Sequence, residues 1–389
     1  MTENAVYSWD RVCARRFARS FLETPAPREE WTAVASAVGG LQAQVLTAAE
    51  LALGVRVKDA TVSAVREALW SSRLLVKTYG PRTTLHLLPA DELPVWMAAQ
   101  RARERLQPEP WHAKLALTES QAETLLEGIA AALDGRDLTR EELAREVAER
   151  VGAWAREPLG STWGDCLAPA AFRGWLCFGP SQGSKATFVR ADQWVTGWQD
   201  IALDNALREV LVRFAAAYGP ITAGDFAKWY WITPAQAQAL IDAHAEALMR
   251  VSVAGGYAWL PAGSVEPASQ IKRETVRLVP QYDCYVLGSH PRESIVPDAA
   301  RQRIASHGRG RFEGAVGLPV LLLNGIVAGI WERRERAAEV LLRVETFAPL
   351  TVDQRDLLDL EAERLGAFYG KRAVLRIGRL TATPKPTDA

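Results

Sequence analysis

Along the N-terminal part of the chain apolar residues recur at three- and four-residue intervals, and beyond about residue 270 they fall at every second position. The first period belongs to half-buried helices and the second to strands. "WDRVCARRFARSFL", "REEWTAVASAVGGLQAQ" as far as the Gly39-Gly40 break, and "ATVSAVREALWSS" are predicted helices. "LLVKTYGPRTTLHLLP" then reads as two strand-like arms about Tyr79-Gly80-Pro81. Helices followed by a hairpin is the order of a winged helix-turn-helix.

That order recurs. Helical "TESQAETLLEGIAAAL", "TREELAREVAERV" behind the candidate caps Asp137 and Thr139, and "APAAFRGWLCFGP" lead into a hairpin within "LCFGPSQGSKATFVRADQW". A third copy runs through "DNALREVLVRFAAAYG", "TAGDFAKWYW" and "TPAQAQALIDAHAEA", where Thr233 caps and Pro234 takes the first helical position, and closes on "LMRVSVAGGYAWLPAG" around Gly255-Gly256. Next come strand-like "TVRLVPQYDCYVLG", a hairpin at Asn324-Gly325 in "PVLLLNGIVAGIWERR", a strand in "AAEVLLRVETFAPL", helical "TVDQRDLLDLEAERLGAFYG" and a last strand "RAVLRIG". The pattern predicts an α+β chain. Three tandem winged helix-turn-helix domains (1–112, 113–198 and 199–268) precede a C-terminal β-rich, barrel-like domain (269–380) and a disordered tail (381–389).

A length of 389 residues with 48% hydrophobic and 24% charged residues suits several globular domains. Lysine plus arginine equals aspartate plus glutamate at 46 each, so no global basic field advertises nucleic acid. Any phosphate-binding surface must be local. Positive charge gathers at Arg11, Arg15, Arg16 and Arg19, in "RQRIASHGRGR", and at Lys371, Arg372, Arg376 and Arg379. Each cluster by itself is read as a solvated face. Cys13, Cys166, Cys177 and Cys284 show no paired spacing and are expected to be reduced and buried. Neither a signal peptide nor a membrane span of roughly 20 apolar residues is apparent, and the chain is assigned to the cytoplasm.

Familiar catalytic motifs are missing. "GPSQGSK" (Gly179 to Lys185) has one residue too few between its glycines for a phosphate loop, and there is no G-x-G-x-x-G, H-E-x-x-H or G-x-S-x-G. With His86, His112, His244, His290 and His307 as the only histidines, no metal site is spelled out. No cofactor is expected.

What stands out is "GGLQAQV", two amides in an apolar stretch. Glutamine has no useful pKa, but its carbonyl accepts and its amide donates, so two of them can fix and aim a water. Gln42 and Gln44 are two apart; in a helix they would diverge by about 200°, and they share a face only if the backbone is extended or irregular. Hydrogen bonding to neighbouring backbone at a helix end is the other reading, and the one that the spacing alone favours.

Three winged-helix units, a C-terminal β domain and "LQAQ" together resemble the winged-helix DNA glycosylases of the AlkZ and YcaQ type. "RTTLHLLPAD", "AAYGPITAGDFAKW", "LVPQYDCYVLGSHPR" and "LNGIVAGIWERR" match that family as well, and the resemblance covers nearly the whole chain. Gln42-Ala43-Gln44 stands where the family has a Gln-hydrophobic-Gln or Gln-hydrophobic-Asp motif; alanine is smaller than some of its middle residues.

The resemblance implies a monofunctional, monomeric hydrolase with no membrane association. Its substrate would be double-stranded DNA carrying bulky or crosslinked N7-alkylguanine, and its role self-resistance in the producer of an alkylating metabolite. N7 alkylation makes the purine a cation that leaves without a proton from the enzyme, so Gln42 and Gln44 need only position water. A guanine tethered to the opposite strand cannot be flipped into a closed pocket, which favours an open cleft. His307, Arg309 and Arg311 in "HGRGRF" are candidate DNA contacts, as a hairpin reaching into the duplex or simply as a basic surface loop, and Arg82 is a further candidate. Two other readings fit a winged-helix chain: a non-catalytic DNA-binding transcriptional regulator, or a protein that sequesters the alkylator itself.

Overall fold

The computed structural model describes residues 6–160, 166–264, 274–306 and 317–380. The "HGRGRF" segment and the expected tail 381–389 lie outside them.

In the first part, Ser8 caps the helix Trp9–Arg19, and the helix Trp31–Ala37 ends at Val38. Gly39 and Gly40 follow with φ of +68° and +89°, a left-handed pair that turns the chain out of the helix at little cost because neither has a Cβ. The chain emerges as the strand Leu41–Gln42, antiparallel to Leu85–Pro89, which pairs on its other side with Leu75–Tyr79. Between strand and hairpin lie the helices Leu46–Gly54 and Val62–Trp70.

The next two stretches repeat helices followed by a hairpin. Capping boxes start the helices Glu119–Ala132 and Arg140–Val151, with Thr118 paired to Gln121 and Thr139 to Glu142. The hairpin Cys177–Gln182 with Lys185–Val189 gains Leu138–Thr139 as a third strand. Further along, the helices Leu203–Tyr218, Ala223–Tyr230 and Pro234–Ala243 precede the hairpin Leu248–Val253 with Gly256–Pro261, where Val6–Tyr7 adds a parallel edge. Thr233 caps as expected.

The C-terminal part is a five-stranded sheet in the order Val276–Val279, Val320–Leu323, Ile326–Glu335, Glu339–Thr346, Arg372–Ile377. Its last pair is parallel, joined by the helix Val352–Tyr369, which packs against strands at both ends of the sheet and so curls it into a half-barrel. Glu361 on that helix accepts the Leu278 amide at 3.0 Å. The turn at Asn324-Gly325, φ +50° and +80°, is as the dipeptide predicts.

Two expectations need correction. The strand expected through "TVRLVPQYDCYVLG" stops at Val279, because Asp283 accepts the Tyr285 amide at 2.9 Å and caps the short helix Cys284–Gly288. Arg15 and Arg16 do not belong to a solvated face: both are buried. Arg15 donates to the carbonyls of Ala216 and Gly219, and Arg16 to those of Tyr218, Pro220 and His290, tying the first helix to the middle of the chain. Elsewhere in these clusters Arg301 pairs with Glu293, Arg303 with the buried Glu345 and Lys371 with Glu335. The four cysteines are buried and free, as expected. Among the described residues no helix is long and apolar enough to cross a membrane.

The small sheet that carries the glutamines separates two apolar cores. Leu41, Ala43 and Leu87 pack in one core with Leu278, Leu321 and Leu342 of the half-barrel. Val76 and Leu88, on the other face, pack with Phe178, Phe214 and Trp229.

Candidate active site

Burial alternates along the segment that carries the glutamines. Leu41 and Ala43 are both 0% exposed, whereas Gln42 is half-buried and Gln44 exposed. The strand itself ends at Gln42 and Gln44 lies in the bend that follows, but the alternation of burial continues through Gln44, and both side chains reach the hairpin segment 82–85 rather than the Leu41 core. The segment is tied to the hairpin by Ala43 N–H to the Leu85 carbonyl at 2.6 Å, and Gln44, two residues before the Leu46–Gly54 helix, also bonds the Leu85 backbone, so a structural role and a catalytic one both remain compatible with its place.

Each glutamine is oriented by one hydrogen bond to its carbonyl oxygen. Gln42 Oε1 accepts from Arg82 Nη2 at 3.1 Å, and Gln44 Oε1 accepts from the Leu85 amide at 3.0 Å. Both amide NH2 groups are left without a partner among the described residues, and each oxygen keeps a second lone pair. One water set between the two side chains could therefore donate to an oxygen and accept from an amide, with no ionised group involved.

Arg82 occupies an unusual backbone position, φ +60° and ψ +16°, in the turn of the hairpin. Its Nη1 donates to the Trp229 carbonyl at 2.8 Å, so the guanidinium bridges Gln42 and the end of the Ala223–Tyr230 helix. Burial lowers its pKa to about 10, which leaves it a cation at neutral pH. Expected from the sequence to contact DNA, Arg82 here braces Gln42; each Nη also retains a second N–H. Lysine cannot reproduce the forked contact. Arg82→Lys is expected to slow base release roughly tenfold or more through a loosened Gln42, with the affinity for DNA little changed. Single-turnover rates and binding titrations on one damaged duplex check it.

Sequence reasoning missed His86. It stands directly across the strand pair from Gln42, on the same face, and Thr78 flanks it on the other side. Its Nδ1 lies 2.9 Å from the Thr84 carbonyl and must carry the proton, since a carbonyl only accepts. Burial, then the charge on Arg82, lowers the His86 pKa to about 3, so the imidazole stays neutral beside the glutamines. Gly80 makes room for the ring: a Cβ there would sit 2.9 Å from His86 Cγ. Only the hairpin register, opposite a strand 44 positions away, could have brought His86 to notice.

The folded pKa of His86 lies below the ordinary value near 6.5, so between about pH 3 and 6.5 the unfolded chain binds more protons. Stability from the neutral ring is complete above that window and is lost as pH falls through it. Burial lowers the His290 pKa to about 3 as well, acting in the same direction. Unfolding free energy is expected to drop by about 2 kcal/mol or more between roughly pH 7 and 5, and His86→Gln should lessen the slope. Urea titrations across that range check this; a flat profile contradicts it.

Gln42, Gln44 and Arg82 are thus brought together, while His307, Arg309 and Arg311 fall outside the described residues. Among the described residues no cluster of histidine, cysteine and carboxylate side chains could hold a metal. A family model described as DNA glycosylase AlkZ-like matches residues 35–368, a span that takes in the glutamines, Arg82, His86 and most of the half-barrel. The chain belongs to this family. An AlkZ-like chain should have relatives at similar length, and it does: it is 32% identical over 333 residues, 84% of this chain and 88% of the other, to an interstrand DNA cross-link repair glycosylase of Streptomyces sahachiroi. The solved structure of the Streptomyces sahachiroi DNA glycosylase AlkZ superposes with a TM-score of 0.80 at 28% identity, covering 96% of this chain and 100% of that one.

Proposed function

We propose that this AlkZ-like chain is a monofunctional DNA glycosylase that hydrolyses the N-glycosidic bond of bulky or crosslinked N7-alkylpurines, with Gln42 and Gln44 positioning the water. Support comes from family membership and from one geometric observation: both glutamines are held through their oxygens to the hairpin segment 82–85, and neither amide NH2 has a partner among the described residues. The named activity of the Streptomyces sahachiroi relative, repair of interstrand cross-links, carries over as the substrate class.

The alkylated purine is already a cationic leaving group. Barrier lowering then comes from placing water against the anomeric carbon and from groups that tolerate an oxocarbenium-like sugar, rather than from a general acid. Neutral Gln42, Gln44 and His86 suit that surrounding, and the nearby Arg82 charge is directed at an amide oxygen. On this reading the three helix-and-hairpin stretches act as tandem winged-helix domains, with the bounds 1–112, 113–198 and 199–268, that form the walls of an open DNA cleft. His307, Arg309 and Arg311 of the 269–380 domain contact the duplex, the enzyme works as a cytoplasmic monomer, and its benefit to the cell is resistance to its own alkylating product.

Two duplexes distinguish the outcomes, one with a single N7-alkylguanine and one with a defined interstrand crosslink between guanines. Incubation followed by alkali should cleave at the lesion in the first and separate the strands in the second. Cleavage of the first alone would restrict the enzyme to monoadducts, and cleavage of neither would remove the glycosylase reading.

A further inference from the structure

We infer that a cavity beside the glutamine site receives one unstacked nucleobase, with Trp231 as its stacking platform; this rests on the glycosylase reading. The cavity, about 210 Å³, is lined by Thr83, Arg103, Glu104, Trp111, Phe172 and Trp231 among others. A chain of contacts joins it to the glutamines. Arg82 holds Gln42, the adjacent Thr83 Oγ1 accepts from Arg103 Nη2 at 2.6 Å, and Trp231 lies two residues beyond the Trp229 carbonyl that Arg82 grips.

Trp231 is 59% exposed although it is a large aromatic, and its backbone is left-handed, φ +62° and ψ +54°. It stands at the C-terminal end of the Ala223–Tyr230 helix, where glycine is the usual residue for that conformation. A bulky side chain kept against backbone strain and against solvent points to a role at the surface. The main chain beneath it is pinned: Gln107 Nε2 donates to the Trp231 carbonyl at 3.3 Å, and Gln236 Nε2 to the neighbouring Leu106 carbonyl at 2.7 Å.

The remaining walls define the occupant. Trp111 and Phe172 add aromatic surface, while Arg103, 3% exposed, spends Nε on Gln100 and Nη2 on Thr83, leaving Nη1 without a partner among the described residues. The Glu104 carboxyl beside it, half-buried and with its pKa raised by burial, offers an acceptor. Donor and acceptor between aromatic faces match the edge and the planes of a purine. The volume is below that of pockets for drug-sized ligands, which fits one base and not a whole adduct. The base could come from the damaged nucleotide of a monoadduct or from an intact base left unpaired opposite it.

Trp231→Gly provides the test, because glycine relieves the left-handed strain while removing the platform. Its melting temperature should hold or rise. Affinity should fall about tenfold or more for a duplex with one 7-methylguanine if the lesion base is the occupant. The same loss should appear for a duplex with a stable abasic analogue opposite guanine if the unpaired base is. Undamaged duplex should bind the variant as it binds the wild type. Equal weakening on all three duplexes, or no weakening on any, overturns the proposal. Should Trp231→Gly melt early, Trp231→Asn, also tolerant of that backbone, must give the same selective loss, and failure to do so overturns it too. A selective loss in a protein that releases no base would remove the glycosylase reading and keep the pocket; base release with unaltered Trp231→Gly binding would do the reverse.

Discussion

Gln44→Ala is expected to slow single-turnover base release by roughly 100-fold or more, with unchanged stability and nearly unchanged affinity for damaged duplex. Gln44 is exposed, and its one hydrogen bond is to a backbone amide that solvent can satisfy. What the substitution removes is half of the cradle for the nucleophile, so the effect should fall on the rate at saturation and spare binding. Gln42→Ala should produce at least as large a kinetic loss together with a measurable stability cost. Its oxygen is the acceptor for Arg82, and truncation leaves a mostly buried guanidinium short of one partner. The two variants thus separate an active-site role from a structural one: if both glutamines merely secured the fold, Gln44→Ala would leave catalysis unaltered.

The second large effect is on stability. Arg56 and Asp283 form a bidentate pair at 2.7 and 2.8 Å with both side chains 0% exposed. Arg56 also donates to the Ala52 carbonyl at 2.7 Å, and Asp283 accepts the Tyr285 amide, so both Nη atoms and the carboxylate are engaged while the buried Arg56 Nε has no partner among the described residues. Burial opposes the charge on Arg56, but the facing Asp283 outweighs it and raises the pKa. The pair fastens the end of the Leu46–Gly54 helix to the segment leaving the first strand of the half-barrel. Arg56→Met or Asp283→Leu alone strands the other charge in the core and should cost about 3–5 kcal/mol. The double variant should recover most of that loss, because two apolar groups replace two that needed each other. Denaturant titration of the four proteins measures the coupling; additive losses would contradict it.

These two clusters differ in how far the chain alone reveals them. Capping boxes are local, so Thr139 and Thr233 mark helix starts correctly, and Asn324-Gly325 marks its turn. The helix Leu46–Gly54 escaped notice because "LTAAELALG" is buried almost all round and has no polar face to set a period. The glutamines were conspicuous, yet their common direction depends on positive φ at Gly39 and Gly40 and on a strand that arrives more than 40 residues later. Arg15 and Arg16 looked like surface charge because the carbonyls that bury them lie about 200 residues away. Asp283 ends an expected strand through a local cap on the Tyr285 amide, while its ion-pair partner Arg56, 227 residues distant, left no local sign. Family resemblance bridged some of these gaps, since it drew attention to Gln42 and Gln44 where spacing alone favoured a structural reading.

The most direct test of the glutamine mechanism is single-turnover release of 7-methylguanine from a duplex with one such lesion, comparing the wild type with the Gln42→Ala, Gln44→Ala double variant at saturating enzyme. The wild type should convert the lesion to an alkali-labile abasic site, and the double variant should bind the duplex but leave it intact. Full-rate release by the double variant would contradict the assignment of the water to these two side chains.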